Sequence, residues 1–247
     1  KNLFDTLAMV GIGPTVRAYP TTDTTVKQIP FDREMAGKIL DSVGWRRASA
    51  GGIRSKNGLP MRFTLIVPVS SLSRVRIAVM IQEQLRQAGI DMQIEQMDYS
   101  AFTERQAERK FDAALAGWHL GSSPGGAKDT WSSEAAEKGG LNYGEYRNAS
   151  YDSLLDSAIA AVDPDKAKGF FRRANQIIVD DAPAVWLYEP KTILAIDRRI
   201  RTTPMRPNSW WLDIAGWTIP AAERIPRDMV MLKNQPNSAQ TGSKRPK

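Results

Sequence analysis

The chain of 247 residues contains no cysteine and a single histidine. It therefore has no disulfide bond and no thiolate metal site, and one histidine leaves no His/Cys cluster with zinc-ligand spacing. No apolar run approaches the roughly 18–20 residues of a membrane-spanning helix. We predict no cofactor and no metal, and the lack of thiols fits an oxidising compartment.

Signature motifs of common enzyme classes are also absent. The sequence has no G-x-S-x-G elbow and no P-loop, and the Gly-Ile-Gly run at 11–13 lacks the third glycine of a dinucleotide fingerprint. The carboxylates are scattered, and helix capping explains Asp32 and Asp163. A hydrolase that uses two carboxylates distant in sequence stays open as an alternative function.

The net charge of +7 is concentrated near the carboxyl terminus. Five basic residues and one acidic residue lie between Pro226 and Lys247, so this segment holds four of the seven net charges. It is also rich in Asn, Gln, Ser and Pro, and we predict a disordered basic tail over 226–247. Because residues 1–225 are nearly balanced, we expect no nucleic-acid partner; binding of nucleic acid through the tail is the second alternative.

The most regular part of the chain alternates between strand and helix patterns. Two segments show the period of two that is typical of strands, and a third is a short run of small and apolar residues. Short connections between these elements predict a parallel sheet with right-handed crossovers. We predict strands over 61–67, 90–97 and 111–117, and helices over 72–88 and 100–109.

Turn and cap signals delimit further elements around this core. Asp32 is predicted to cap a helix that ends at Gly44, and the Asn57-Gly58 pair favours a tight hairpin. The helix from Asp32 is predicted to turn four apolar residues inward: Ala36, Ile39, Leu40 and Val43. The remaining predictions are the end of a helix over 1–10, helices from Ser150 and from Asp163-Pro164, and strands over 184–189 and 192–196.

Three loops leave the carboxyl ends of the predicted strands, where open parallel sheets bind ligands. They are 68–73, 98–100 and the long WHLGSSPGGAKDTW segment at 118–131, which is too glycine-rich for a plain connector. The NYGEY segment at 142–146 can return to the same region. Aromatic and hydrogen-bonding residues of these segments are predicted to bind a polar solute: Trp118, His119, Ser122, Ser123, Trp131, Asn142, Tyr143 and Tyr146.

Packing is the alternative role for several of these side chains. Trp118 directly follows a strand, and His119 suits a structural loop position. Tyr143 and Tyr146 are equally suited to packing on the helix from Ser150. A second aromatic pair, Trp210-Trp211, is predicted to place one ring in the core and the other in a cleft.

Six stretches of the chain follow, in order, the segments of one known family. They are FDREMAGKILDSVGW (31–45), GGIRSKNGLPMRFTLIVP (51–68), IAVMIQEQLRQAGIDMQIEQMDYSAF (77–102), FDAALAGWHLG (111–121), LNYGEYRNASYDSLLDSA (141–158) and IIVDDAPAVWLYEP (177–190). Together they resemble the carboxyl-terminal half of the family 5 extracellular solute-binding proteins. Members of that family capture peptides, nickel and related solutes for ABC importers.

The resemblance implies an α/β, periplasmic-binding-protein-like lobe over 31–190, with a parallel or mixed sheet flanked by helices. Residues 1–30 would lead into this lobe, and 191–225 would return toward a second lobe encoded upstream. The implied protein is a monomer that captures a peptide-like, opine-like or oligosaccharide solute and delivers it to a membrane permease, without enzyme activity. It would lie in the periplasm, and its export signal or lipid anchor would precede Lys1.

One loop departs from the family pattern. Peptide-binding members usually carry an aspartate shortly after the Trp that matches Trp118, and this aspartate holds the peptide's amino terminus. Here residues 119–126 contain no acid, and Asp129 is the first one reached. A buried ammonium without a counter-charge is costly. A neutral or anionic solute, such as a sugar or an opine-like compound, therefore fits this loop better than a free peptide amine.

Overall fold

The computed structural model describes residues 4–119, 125–206 and 209–229. The chain divides into two compact units, residues 1–191 and residues 192–247. Ser122 and Ser123, two of the predicted site residues, lie outside the described residues. So does most of the predicted basic tail.

The strands of the first unit are short, except for two strands of seven residues in its central sheet. In chain order, the described strands are β1 (Ala8–Val10), β2 (Arg46–Arg47), β3 (Arg54–Lys56), β4 (Leu59–Pro60), β5 (Arg62–Pro68), β6 (Asp91–Met97), β7 (Ala113–Ala114) and β8 (Tyr188–Pro190).

The helices of the first unit include three long ones. In chain order, the described helices are α1 (Arg33–Ser42), α2 (Leu72–Ala88), α3 (Tyr99–Ala107), α4 (Gly126–Trp131), α5 (Ser133–Glu137), α6 (Ala149–Ala160) and α7 (Pro164–Asp181). Among the residues that the structure describes, no helix is long and apolar enough to cross a membrane.

The central sheet has the strand order β6-β5-β7, and both pairings are parallel. This confirms the predicted parallel sheet and the strand–helix–strand–helix–strand order. The third strand is shorter than predicted, with two residues in place of seven. Just before β7, a side chain takes the place of a backbone partner: the Asp112 carboxylate accepts a hydrogen bond from the Thr64 N–H of β5 at 2.9 Å. The sheet thus keeps its pairing there without a regular ladder.

Two apolar clusters hold the first unit together. One joins the central sheet to α2 through Leu65, Val67, Ile77 and Met92. The other joins α4, α6 and α7, and its largest members are Trp131, Tyr151 and Phe171. Burial of such side chains stabilises by roughly 1.5–3 kcal/mol each. The first cluster therefore fixes α2 against the sheet, and the second fixes α4, α6 and α7 against one another.

The cap signals of the sequence are largely confirmed. Asp32 accepts a hydrogen bond from the Met35 N–H, and Asp163 caps α7 with Pro164 in the first turn. Helix α6 begins slightly earlier than predicted. Its N-cap is Asn148, whose side-chain oxygen accepts hydrogen bonds from the N–H groups of Ser150 and Tyr151.

The inward face predicted for α1 is wrong. No residue of this helix is buried, and Ile39 and Val43 are 56% and 52% exposed. Helical periodicity indicates which residues share a face, but it does not show whether another element covers that face. Here the tie to the rest of the unit is polar, because Asp41 accepts a hydrogen bond from the guanidinium of Arg54 at 2.5 Å.

The chain segment at residues 8–10 also differs from its prediction. In place of the end of a helix, β1 pairs antiparallel with β8. The Arg17 guanidinium reinforces this pairing, because it donates to the Val10 carbonyl at 2.6 Å and to the Glu189 carboxylate at 2.7 Å. Of the strand predicted over 184–189, only its end forms, as part of β8, where it pairs with β1. The strand predicted over 192–196 is wrong, because these residues form no regular strand.

The described residues of the second unit, 192–206 and 209–229, contain little regular structure. An antiparallel bridge pairs Arg201 with Thr218, and short 3-10 turns span Ile214–Gly216, Ala221–Glu223 and Pro226–Met229. Of its described residues, only Ser209 is fully buried. Its polar contacts include ion pairs of the Arg199 guanidinium with the carboxylates of Asp197 and Asp228.

A glycine pair tests the packing at the end of α2. Gly89 and Gly58 both have positive φ angles, of 85° and 79°. A Cβ at Gly89 would lie 2.7 Å from Nε of Arg47, whereas one at Gly58 would meet nothing within 4 Å. Both alanine substitutions pay a left-handed backbone cost of about 1–2 kcal/mol. We expect Gly89→Ala to lose about 1–2 kcal/mol more, because it also overpacks the site.

Urea unfolding of the two single variants measures this difference directly. Gly58→Ala is the matched control, since it carries the same backbone penalty without the crowding. Equal losses in the two variants would show that the arginine side chain moves aside at no cost.

Candidate functional site

The carboxyl ends of β5, β6 and β7 meet at one edge of the central sheet, as their parallel register requires. Val69 follows β5, and its N–H donates to the Met97 carbonyl at the end of β6 at 2.9 Å. Three apolar or aromatic side chains at this edge are exposed to solvent: Val69, Leu72 and Tyr99 are 47%, 73% and 59% exposed. The edge therefore offers an accessible surface of mixed polarity, which suits an organic solute.

Polar groups at the same edge begin the two helices that follow the strands. Ser71 caps α2, and Asp98 caps α3 by accepting hydrogen bonds from the Ser100 hydroxyl and the Ala101 N–H. The hydrogen bond from the Ser100 hydroxyl lowers the pKa of Asp98 most, and the bond from the Ala101 N–H lowers it further. Its carboxylate is therefore ionised at neutral pH, and one of its oxygens is occupied by the cap.

Arg74, in the first turn of α2, lies beside the loop that leaves β7. A Cβ placed on Gly117 would lie 3.4 Å from Nη2 of Arg74. The guanidinium therefore stands between the segment after β5 and the segment after β7. Sequence reasoning missed this residue, although its position just after the predicted first strand was a usable signal.

Trp118 and Trp131 belong to a tryptophan cluster. Their ring centroids are 5.2 Å apart, and Trp131 lies 5.1 Å from Trp186 in an edge-to-face arrangement. Trp131 is only 5% exposed, while Trp118 is half-buried against the same apolar cluster. Trp131 thus packs inside the protein, and Trp118 keeps part of its ring accessible next to the sheet edge.

Asn142 is a structural hub of the segment before α6. It is 1% exposed, and its side-chain amide donates to the carbonyls of Ser132 and Tyr146 at 2.9 and 2.8 Å. Its side-chain oxygen accepts from the Tyr146 N–H. All of these bonds are internal, so the present geometry uses Asn142 to hold the loop.

The two tyrosines of this segment differ in their surroundings. The Tyr146 hydroxyl donates to Asp181 at 2.6 Å, and the ring lies edge-to-face on Tyr151. Burial, together with the Asp181 carboxylate, raises the pKa of Tyr146. Tyr143 is half-buried, and His119 is exposed. Solute contact by the predicted residues stays a prediction; the structure brings Trp118, Trp131 and Tyr146 to one cluster and Asn142 beside it.

The second unit contains a separate apolar cavity of about 480 Å³. Trp210 and Trp217 line it, with their ring centroids 6.0 Å apart, and Trp217 Nε1 is buried without a hydrogen-bond partner among the described residues. Trp211 is 44% exposed.

No group of three His, Cys, Asp or Glu side chains that could hold a metal occurs within the described ranges.

Comparison with known proteins decides the family. Residues 1–138 match the model for the middle region of the bacterial extracellular solute-binding proteins, family 5. This chain belongs to the family 5 solute-binding proteins. The match includes the whole central sheet and the loops at its carboxyl edge, so the sheet described above is a family 5 sheet.

A curated relative is the oligopeptide-binding protein AppA of Bacillus subtilis, which is 29% identical over 215 residues. The match covers 83% of this chain and 39% of AppA. The crystal structure of AppA in complex with a nonapeptide has a TM-score of 0.77 and 27% identity, covering 88% of this chain and 44% of that one. This family 5 chain therefore spans less than half the length of a relative that it matches.

A second solved structure shows the same fold at lower identity. It is the periplasmic oligopeptide-binding protein of Thermotoga maritima with bound mannohexaose, with a TM-score of 0.70 and 21% identity. The match covers 89% of this chain and 46% of that one. Together these structures confirm the expected α/β fold of the periplasmic-binding-protein type.

Proposed function

We propose that this chain is part of the substrate-binding component of an ABC-type importer. It would capture a polar solute at the carboxyl edge of β5, β6 and β7 and deliver it to a membrane permease. Membership of family 5, established over residues 1–138, carries this proposal. The accessible edge with exposed Val69, Leu72 and Tyr99 supports it, because such a surface suits recognition of an organic solute.

The further parts of the proposal follow from the family. The protein would act outside the cytoplasm as a monomer, bind its solute without changing it chemically, and reach the membrane through its permease or an upstream anchor.

The exposed apolar side chains of the second unit support a role for additional polypeptide. Its described residues bury almost no apolar side chain, and Ile193, Leu212 and Ile214 are each at least half exposed. Such a segment gains stability by packing on further chain.

We expect this protein to bind a narrower class of solutes than family 5 as a whole. AppA was solved with a nonapeptide and the Thermotoga protein with mannohexaose, so one fold accommodates a peptide and an oligosaccharide. The loop after Trp118 has no acid before Asp129. A free amine would therefore lack a counter-charge from this loop, which favours a peptide-like solute with a blocked amine, an opine-like compound or an oligosaccharide.

Native mass spectrometry of the protein purified from its own cells tests this function. We expect a bound small molecule that is released unchanged on unfolding, because binding proteins do not turn over their solute. Chemical conversion of the solute during incubation would favour the carboxylate-dependent hydrolase. Salt-sensitive retention on DNA that disappears when residues 226–247 are deleted would favour the nucleic-acid alternative.

A further inference from the structure

Arg74 differs from the other cations of the protein in its surroundings. Seven other described lysines and arginines are buried or half-buried, and each one has a side-chain hydrogen bond or an ion pair: Arg17, Arg47, Arg54, Arg105, Arg109, Lys128 and Arg199. Arg74 is half-buried as well. Across residues 4–119, 125–206 and 209–229, its guanidinium has no hydrogen bond, ion pair or ring contact.

A guanidinium in this position loses part of its hydration without gaining a partner. A charge withdrawn from water is costly unless it is paired and hydrogen-bonded. Asp98, the acid that follows β6 at this sheet edge, accepts its hydrogen bonds from Ser100 and Ala101. The structure therefore contains an unmatched positive charge where the loops after β5 and β7 approach each other, at Gly117.

We propose that Arg74 binds the carboxylate of an anionic solute. The planar guanidinium donates two parallel hydrogen bonds to a carboxylate, a geometry that an ammonium cannot match. This inference rests on the proposed capture function and narrows it, because a neutral oligosaccharide would leave the charge unpaired. It also agrees with the loop at 119–126, which supplies no acid for a solute amine.

The test uses the full-length native protein and two matched probe libraries. One library contains N-acetylated tripeptides as free acids, and the other contains the same tripeptides as carboxyl-terminal amides. Affinities for wild type, Arg74→Ala and Arg74→Lys are measured by native mass spectrometry and calorimetry. Arg76→Ala is the matched control, because Arg76 is exposed on the same helix and has no ion pair among the described residues.

We expect wild type and Arg76→Ala to prefer the acids over the amides by about 10- to 100-fold, the range of a charged hydrogen-bonded contact. Arg74→Ala should abolish this preference, and Arg74→Lys should restore only part of it. Thermal melts check that all variants are folded. A co-purified solute from the cell should carry a carboxylate in wild type and be lost from Arg74→Ala alone.

The outcomes separate this inference from the proposed function. If the protein captures a neutral solute, or prefers acids equally with and without Arg74, the Arg74 assignment is wrong while solute capture stands. If neither the libraries nor the cell supply any bound solute, the capture function itself fails, and the Arg74 assignment fails with it.

Discussion

Phe171→Ala is expected to lower the free energy of unfolding by about 3–5 kcal/mol. The Phe171 side chain is 2% exposed and packs in the cluster that contains Tyr151, Leu155 and Ile178. The substitution removes most of a large buried ring and leaves a cavity between α6 and α7. These helices cannot close that cavity cheaply, because they pack on each other along their length. Urea unfolding followed by circular dichroism measures the loss.

The neighbouring phenylalanine provides the control. Phe170 is half-buried, and its ring lies 5.0 Å from the guanidinium carbon of Arg173. Because less of this ring is buried, we expect Phe170→Ala to lose about 1–2 kcal/mol. Similar losses for the two variants would mean that the helices rearrange around the Phe171 site and that the cluster is not a rigid core.

Arg54→Ala is expected to lower the free energy of unfolding by about 2–4 kcal/mol. The Arg54 side chain is 7% exposed. Its guanidinium donates to the Asp41 carboxylate and to the carbonyls of Trp45 and Ala88, at 2.5, 2.6 and 3.0 Å. Alanine leaves both carbonyls without a donor, and Asp41, which is 56% exposed, returns to water. The contact between α1 and the end of α2 would loosen first.

Two further variants isolate the cause of the Arg54 effect. Arg46→Ala changes an exposed arginine on β2, and its loss should stay within about 0.5 kcal/mol. Asp41→Asn removes the ion pair but keeps both carbonyl bonds, so it should cost less than Arg54→Ala. A loss from Asp41→Asn equal to that from Arg54→Ala would assign the stability to the ion pair and not to the carbonyl contacts.

The regular elements followed from local signals because those signals act over a few residues. The caps Asp32 and Asp163 and the glycine after α2 each form hydrogen bonds within one helical turn. The Asn57-Gly58 hairpin was likewise predictable, since both residues adopt the positive φ angles that such a turn requires. Alternation in β5 and β6 indicated a sheet, and short connections indicated that it is parallel.

Long-range pairing was not accessible in the same way. Residues 8–10 look helical locally, yet they form β1 because Tyr188–Pro190 is available as a partner. The apolar stripe of α1 has the period of a packed helix, yet none of its residues is buried. The partner of β1 lies more than a hundred residues away along the chain, and local periodicity encodes neither such a partner nor the burial of a helix face.

The candidate site shows the same division. The sequence alone determined that three loops gather at one sheet edge, that the loop after Trp118 is aromatic and lacks an early acid, and that no thiol or metal chemistry is built from cysteine. These properties depend on residue order and residue type. They place the proposed recognition surface before any coordinates are known.

Only the tertiary structure decided how each side chain is used. It turned Asn142 into an internal hydrogen-bonding hub for the segment before α6. It also packed Trp131 against Trp186, because Trp131 lies where α4, α6 and α7 meet. It also left Arg74 half-buried and unmatched beside Gly117. Burial and pairing are properties of the surrounding atoms, which arrive from distant parts of the chain, and so they emerge only when the chain is folded.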